Sequence, residues 1–402
     1  MSKRFRAFAT LSAIALLITS GSAPVIAELA DEPPAASQPT PAPRPLQGLE
    51  RWPDQILTDD LLWQGDTSSA QLQLLTAIAH SLTYLDTPAA ATAYADYAIP
   101  TITRDRVRRS LRRFRALLLT SDSPAAFDAA VRREFSLYQS IGNDQLGTVH
   151  FTGYFEPSYA ASRTPTADYR YPLYRRPADL DNWPLPHPTR LALEGRDGLQ
   201  AANGPLQGLE LVWMRDRLEA FLVQVQGSAR LQLTDGTPLS VGYAGRTEHD
   251  YVSLGRELIN DGKVPAEGMT LERLLAYFAA HPEDLDIYLP RNDRFIFFRE
   301  TAGGPPTGTF SVPVTPGRSI ATDKTLTPPG AISLITLDWP ERSATGDWQP
   351  TPISRYVLNQ DTGGAIQGPG RVDIFVGSGD AAGEQAGQIN TDGALYFLLL
   401  KQ

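Results

Sequence analysis

Asn359-Gln-Asp-Thr-Gly-Gly-Ala-Ile366, followed after four residues by Arg371-Val-Asp-Ile-Phe-Val-Gly377, is the stretch on which the reading of this chain turns. In its second half Val372, Ile374 and Val376 point to one face of a predicted strand, and Asp373 and Phe375 point to the other. An acid beside an aromatic on the face away from the core suits a cleft. An acid inside an apolar strand is also costly unless it is paired or used. Asp361 lies twelve residues before Asp373, in a Gly-rich segment read as a turn that folds it back toward Asp373. It has two readings: a second carboxylate of the cleft, or a side chain that satisfies backbone amides of its own turn.

Working outward, Phe295 to Phe298, Ile332 to Leu337 and Leu395 to Leu400 read as further short strands, and strand-and-turn texture begins at Thr148. Glu219 to Tyr243 is expected to be a hairpin or meander. There Phe221, Val223 and Val225 alternate with Leu222, Gln224 and Gln226, and Asp235-Gly236 supplies a turn. Helical spacing returns in Tyr251 to Ile259 and in Leu271 to Phe278. Upstream, Leu72, Leu75, Ile78, Ala79 and Leu82 predict one helix, and Val107, Leu111, Phe114 and Leu118 a second. The second carries Arg104, Arg106, Arg108, Arg109, Arg112, Arg113 and Arg115. Without interleaved aromatics this reads as a solvated helix face, not a polyanion site. A third helix is predicted from Pro124 to Gln139, capped by Ser123. No sequence repeat is evident.

At the N-terminus, Lys3, Arg4 and Arg6 precede an apolar run from Ala7 to Ile18, and Val25-Ile26-Ala27 has the small-x-small form of a signal-peptidase site. Residues 1–27 are therefore read as an export signal, with retention as an anchor as the alternative. Residues 28–50 are expected to be a Pro-rich linker.

The 402 residues suffice for two ordinary domains, and 42% hydrophobic against 20% charged residues allow a large core. A net charge of −9 offers no general attraction to nucleic acid, and no nucleic-acid partner is expected. The 32 glycines and 33 prolines predict a turn-rich fold with much β structure. Zero cysteines exclude disulfides, thiolate metal sites, cysteine nucleophiles and lipid attachment through cysteine. The five histidines lack metal-ligand spacing, so neither metal nor cofactor is expected and the chemistry must rest on oxygen groups. The fold class predicted is α+β, mainly β: helices followed by many short strands with β-barrel parts.

Seven short segments, in order, resemble the membrane-bound lytic murein transglycosylase A family. They are Phe151-Thr-Gly-Tyr-Phe-Glu-Pro157, Pro172-Leu-Tyr-Arg-Arg-Pro177, Val223-Gln-Val-Gln-Gly-Ser228, Tyr243-Ala-Gly-Arg246, Thr315-Pro-Gly-Arg-Ser319, Gln360 to Ile366 and Val372 to Gly377. The C-terminal part is also similar to the three-aspartate "3D" domain, whose acids map onto Asp323, Asp361 and Asp373. The resemblance implies a double-psi β-barrel assembled from residues 51–159 and 286–402, and a smaller β-barrel inserted at 160–285, with the glycan in the groove between them.

It further implies cleavage of the β-1,4 bond between N-acetylmuramic acid and N-acetylglucosamine without water, leaving 1,6-anhydromuramoyl ends. Asp373 would be acid and then base, with Asp361 and Asp323 completing the catalytic set. Thr152, Tyr154, Glu156, Gln226, Gly227 and Ser228 are the expected substrate contacts. Tyr154 has the alternative reading of a core aromatic, Gln224 that of a solvated strand residue, and Arg318 and Ser319 either fix a turn or touch glycan. The expected partners are peptidoglycan strands, with wall-synthesis or division complexes as further candidates, and the chain is expected to be exported to the periplasm as a monomer, with association with the outer or inner membrane without a lipid anchor as an alternative. The rival functions are a glycan-binding or wall-loosening module without turnover and a conventional glycoside hydrolase.

Overall fold

The computed structural model describes residues 44–402 apart from 60, 64–66 and 268; the export signal and residues 28–43 of the expected linker lie outside the described residues. The chain opens with a short strand, β1 (Leu46–Gly48), inside the stretch expected to be linker. Helices α1 (Thr67–Leu85), α2 (Pro88–Ala95), α3 (Arg104–Thr120) and α4 (Pro124–Glu134) follow, then strands β2 (Phe135–Ser140) and β3 (Val149–Glu156). Next come β4 (Ser158–Ser162), β5 (Tyr171–Tyr174), α5 (Arg190–Glu194), β6 (Glu210–Met214), α6 (Arg217–Gln226), β7 (Ser228–Leu233) and β8 (Pro238–Arg246). Helices α7 (Leu254–Asn260), α8 (Leu271–Ala280) and α9 (Leu285–Tyr288) lead to β9 (Ile296–Thr301). The chain ends with β10 (Ser319–Ala321), β11 (Ile332–Arg342), β12 (Trp348–Asp361), β13 (Arg371–Ser378), α10 (Asp380–Gln388) and β14 (Asn390–Leu400).

One sheet runs β1-β2-β14-β11-β12-β10-β13-β3, and a further pairing of β3 with β14 closes six of its strands into a barrel. The second sheet, β5-β6-β4-β7-β8-β9, has edge strands that meet at one bridge between Arg175 and Phe298. It is spliced into the chain between β3 and β10, the two strands that flank β13. The mixed, mainly β architecture predicted from the sequence is the one observed.

The barrel's core continues into the N-terminal helices. Phe114 of α3 meets Tyr356 of β12 edge-on at 4.9 Å and Phe127 of α4 at 5.3 Å. The arginine-rich helix α3 is braced, not free. Arg106 is buried and donates to Leu400 O, while Arg108, Arg109 and Arg113 pair with Asp86, Asp105 and Glu134.

Three local expectations are corrected. Residues 217–226 form helix α6, not a strand: Asp216 Oδ1 accepts from the amides of Leu218 and Glu219, and Gly227 ends the helix in the left-handed region at φ 78°. Both flanks of α6 are buried. Ala220 and Val223 pack on the second sheet, and Leu218, Phe221 and Leu222 pack on α7 and α8. Two-sided burial dilutes the helical stripe into an apparent alternation. Gln224 is accordingly buried, accepting from Arg190 Nη2 at 2.6 Å.

The helix predicted to reach Gln139 stops at Glu134, and Phe135 turns extended to begin β2. There Phe135 and Leu137 alternate into the core beside β14. Ser123 is the cap, accepting from Ala126 N at 3.2 Å. Asp361 is not in a turn; it is the last residue of β12.

Arg318 and Ser319 fix structure. Arg318 is fully buried and forked onto Asp59, Nη1 to Oδ2 at 2.6 Å and Nη2 to Oδ1 at 3.3 Å. The Ser319 hydroxyl donates to Gln360 Oε1 at 2.5 Å.

Candidate active site

Strand β13 pairs in parallel with β3, placing Asp373 against Thr152 and Phe375 against Tyr154. Successive residues of a strand face opposite ways. Helix α10 takes the face of β3 that carries Phe151 and Phe155: a Cβ on Gly153 would lie 2.8 Å from Ala386 Cα, and one on Gly383 would lie 2.8 Å from the Phe155 ring. The opposite face, with Thr152, Tyr154 and Asp373, is left to the cleft. On its other side β13 pairs with β10, where Ala321 is registered against both Asp373 and Asp361. That shared neighbour, not a folded-back turn, brings the two acids together.

The Thr152 hydroxyl donates to Asp373 Oδ1 at 2.9 Å, and Arg371 Nη2 donates to Thr152 Oγ1 at 3.3 Å. Burial pushes the Asp373 carboxyl up to about 6, and the Asp361 charge adds to this. The Thr152 hydrogen bond and the Arg371 charge pull the other way without cancelling it. Asp373 is thus a carboxylic acid that holds its proton into the mildly acidic range.

Asp361 is held by fixed donors. Its Oδ1 accepts from Thr309 N at 2.8 Å, Thr309 Oγ1 at 2.6 Å and Thr362 N at 2.8 Å, and its Oδ2 accepts from Tyr154 OH at 2.9 Å. Four donors occupy its two oxygens. Tyr154 is half-buried, tilted against Phe375 with ring centres 5.3 Å apart. Burial first, then the neighbouring Asp361 carboxylate, holds its phenol well above the usual range, so it remains a donor. Asp323 serves the loop after β12: its Oδ2 accepts from Gly368 N at 3.0 Å and its Oδ1 from the Thr325 amide and hydroxyl. Of the three aspartates, Asp361 and Asp323 are committed to fixed donors, and Asp373 has a single side-chain hydrogen bond.

The remaining expected contacts sit where the two sheets join. Glu156 is 1% exposed, and its Oε2 accepts from Arg230 Nε at 2.8 Å and Ser378 Oγ at 2.7 Å. It ties β3 to β7 and β13 and has no open face toward a ligand. Gln226 ends α6, its Oε1 accepting from the Phe155 amide at 3.3 Å. Gly227 is the helix cap, and Ser228, which begins β7, is buried. Sequence reasoning did not single out Arg371 or Thr309. Arg371 opens the β13 motif and was legible as a polar residue on the Asp373 face; no local pattern marks Thr309.

A family model described as the MltA specific insert domain matches residues 150–299, and a 3D domain model matches residues 318–399. The chain is 32% identical over 279 residues to the membrane-bound lytic murein transglycosylase A of Escherichia coli K12, covering 68% of this chain and 72% of that protein. The Vibrio cholerae protein of the same description matches at 32% over 279 residues, with 68% and 72% coverage. Among solved structures, a membrane-bound lytic murein transglycosylase from Agrobacterium tumefaciens has a TM-score of 0.62 at 30% identity, covering 78% of this chain and 91% of that one. Escherichia coli MltA with bound chitohexaose has a TM-score of 0.66 at 25% identity, covering 89% and 95%. On sequence, on both sheets and on the aspartates between them, the chain belongs to the membrane-bound lytic murein transglycosylase A family.

Proposed function

We propose that this lytic murein transglycosylase cleaves the β-1,4 bond between N-acetylmuramic acid and N-acetylglucosamine with Asp373 as its only proton-transferring group. Asp373 donates its proton to the glycosidic oxygen as that bond to C1 breaks. The C6 hydroxyl of the same muramoyl residue attacks C1, and its proton passes to the Asp373 carboxylate. The acid is regenerated, no water is consumed, and the product is a 1,6-anhydromuramoyl end. A hydrolase needs a second carboxylate to attack C1 or activate water. Here the nucleophile is already tethered to the reacting carbon, and that intramolecular advantage replaces the second group.

The observation that carries this reading is the contrast between the two neighbouring acids: Asp373 raised to about 6 by burial, and Asp361 held by four donors. Asp361 then stabilises positive charge developing at C1 without exchanging a proton. Thr152 orients the Asp373 carboxyl, and Tyr154 positions Asp361. The substrate is a peptidoglycan strand in the groove of a periplasmic monomer. No helix among the described residues is long and apolar enough to cross a membrane. Mass spectrometry of digested peptidoglycan tests the reaction. Fragments lighter by one water than hydrolysis products are expected; hydrated fragments would make the enzyme a hydrolase, and no fragments a binding module.

A further inference from the structure

The inserted sheet holds a largely buried arginine whose terminal nitrogens have no hydrogen-bond partner among the described residues. Arg294, just before β9, is 8% exposed. Its Nε donates to His249 O at 2.8 Å, but among the described residues Nη1 and Nη2 have no hydrogen-bond partner and no carboxylate within ion-pair distance. Arg246, the last residue of β8, directs Nη1 at the same carbonyl, 3.3 Å from His249 O. Two guanidinium groups therefore converge on one oxygen. The acids nearby do not cancel them: Glu248 is 3.7 Å from Arg246 Nη2, and both Glu248 and Asp250 are exposed. Burial, and then the Arg246 charge, lower the proton affinity of Arg294.

Facing Arg294 is bare backbone of the loop that follows Asp361. A Cβ on Gly364 would fall 1.5 Å from Arg294 Nη1 and 3.4 Å from Nη2, so the guanidinium meets, Nη1 first, a position three residues beyond Asp361. Tyr243, 40% exposed, stands within the electrostatic reach of both arginines. A buried cation without a partner is unfavourable, and an arriving anion that takes a forked hydrogen bond relieves it.

We propose that Arg294 and Arg246 form an anion site beside the groove that receives a carboxylate of the peptide stem borne by the muramic acid. The inference rests on the murein reading above. N-acetylglucosamine carries no charge and the lactyl carboxyl of muramic acid is tied up as an amide by its stem, so the anionic groups of a fully substituted murein strand are the carboxylates of its stems, which hang from the muramoyl residue whose C1 is attacked. The planar guanidinium fork matches a carboxylate in both geometry and charge. The site thereby favours strands whose stems carry free carboxylates without taking part in the chemistry.

The test compares kcat/KM on murein strands whose stem carboxylates are free with kcat/KM on the same strands after their stem carboxylates are converted to amides, for wild type, Arg294→Met, Arg246→Met and the double variant. The double variant is expected to lose at least about tenfold on the first substrate and less than about twofold on the second. Removing an unpaired buried charge should leave Tm unchanged or raise it, and Arg294→Lys, which keeps the charge but not the fork, should lose an intermediate amount. Equal losses on both substrates, or none on either, overturn the proposal. Separately, calorimetric titration of wild type with a soluble muramoyl peptide should show binding that disappears when its carboxylates are amidated and in the double variant. Equal binding of the amidated peptide, or of inorganic phosphate, also overturns it. This titration decides the anion site even where the product analysis rejects transglycosylation.

Discussion

Thr152 Oγ1 donates to Asp373 Oδ1 at 2.9 Å across the β3–β13 register, so a neighbouring strand tempers the rise that burial imposes on the acid. The hydroxyl favours the ionised carboxyl. Thr152→Val, which removes it, should raise the Asp373 pKa by about 0.5–1 unit. Asp373 must start protonated, so activity falls as pH rises through its value near 6, and in the variant that alkaline limb should move upward. A pH profile of kcat checks this; a limb unmoved or moved downward rejects the assignment.

Asp373→Asn keeps the shape and removes the proton. Turnover should drop by about 10²–10⁴ or more, while affinity for a non-cleavable glycan stays within a few-fold. Near-wild-type turnover would sink the assignment of Asp373.

The same substitution has a stability signature opposite to that of an ordinary structural mutation. Burial pushes the Asp373 carboxyl up to about 6 in the folded chain, against an ordinary carboxylate value of 3.8. The folded state therefore binds the proton more tightly, and stability falls as pH rises from 3.8 through about 6. Above that window Asp373→Asn should be more stable than wild type by on the order of 1–2 kcal/mol, discounted for partial solvent access, with no gain below pH ~4. Thermal melts at the two pH values read this directly.

Arg318 and Asp59 are 0% and 1% exposed at their side chains, with Nη1 and Oδ2 2.6 Å apart. Asp59 Oδ2 also accepts from the Tyr356 amide at 2.7 Å. Asp59→Ala leaves a buried guanidinium uncompensated and should cost about 3–5 kcal/mol in denaturant unfolding. A loss under about 1 kcal/mol would show that water reaches the pair.

Gly153 has no room for a methyl group: its Cβ would meet Ala386 Cα at 2.8 Å and Ala386 O at 2.9 Å. Gly153→Ala must push α10 off β3, costing about 1–3 kcal/mol, and should lower kcat by shifting Thr152. A variant with wild-type Tm and kcat would mean that α10 yields without cost.

What the sequence made legible tracks how one-sided each element's burial is. The β13 motif was readable because Val372 and Ile374 are buried while Asp373, between them, keeps partial exposure. The Asp235-Gly236 turn was readable from its own chemistry, since Gly236 sits at φ 86°. Helix α6 was misread because it is buried on two flanks, and α2 and α10 are too rich in Ala or Gly to show a stripe. Within the site, Asp373 and Thr152 could be named from motif and alternation. The difference between Asp373 and Asp361 could not, because it depends on Thr309, which is 52 residues from Asp361 in the chain. Glu156 was expected to be a ligand contact because the family resemblance places its segment at the groove wall; only the fold brings Arg230 and Ser378 to it.

The splice points of the inserted sheet are the two strands that flank β13, and the carboxylate of Glu156 spans one of them. Any rocking of the insert on the barrel pulls on the immediate neighbours of the proton donor before it reaches any other strand. On the proposed mechanism, grip on a long polymer and readiness of the acid would be mechanically wired together: a strand seated across both sheets would set Thr152 and Ala321 around Asp373, and a poorly seated one would leave the donor misaligned.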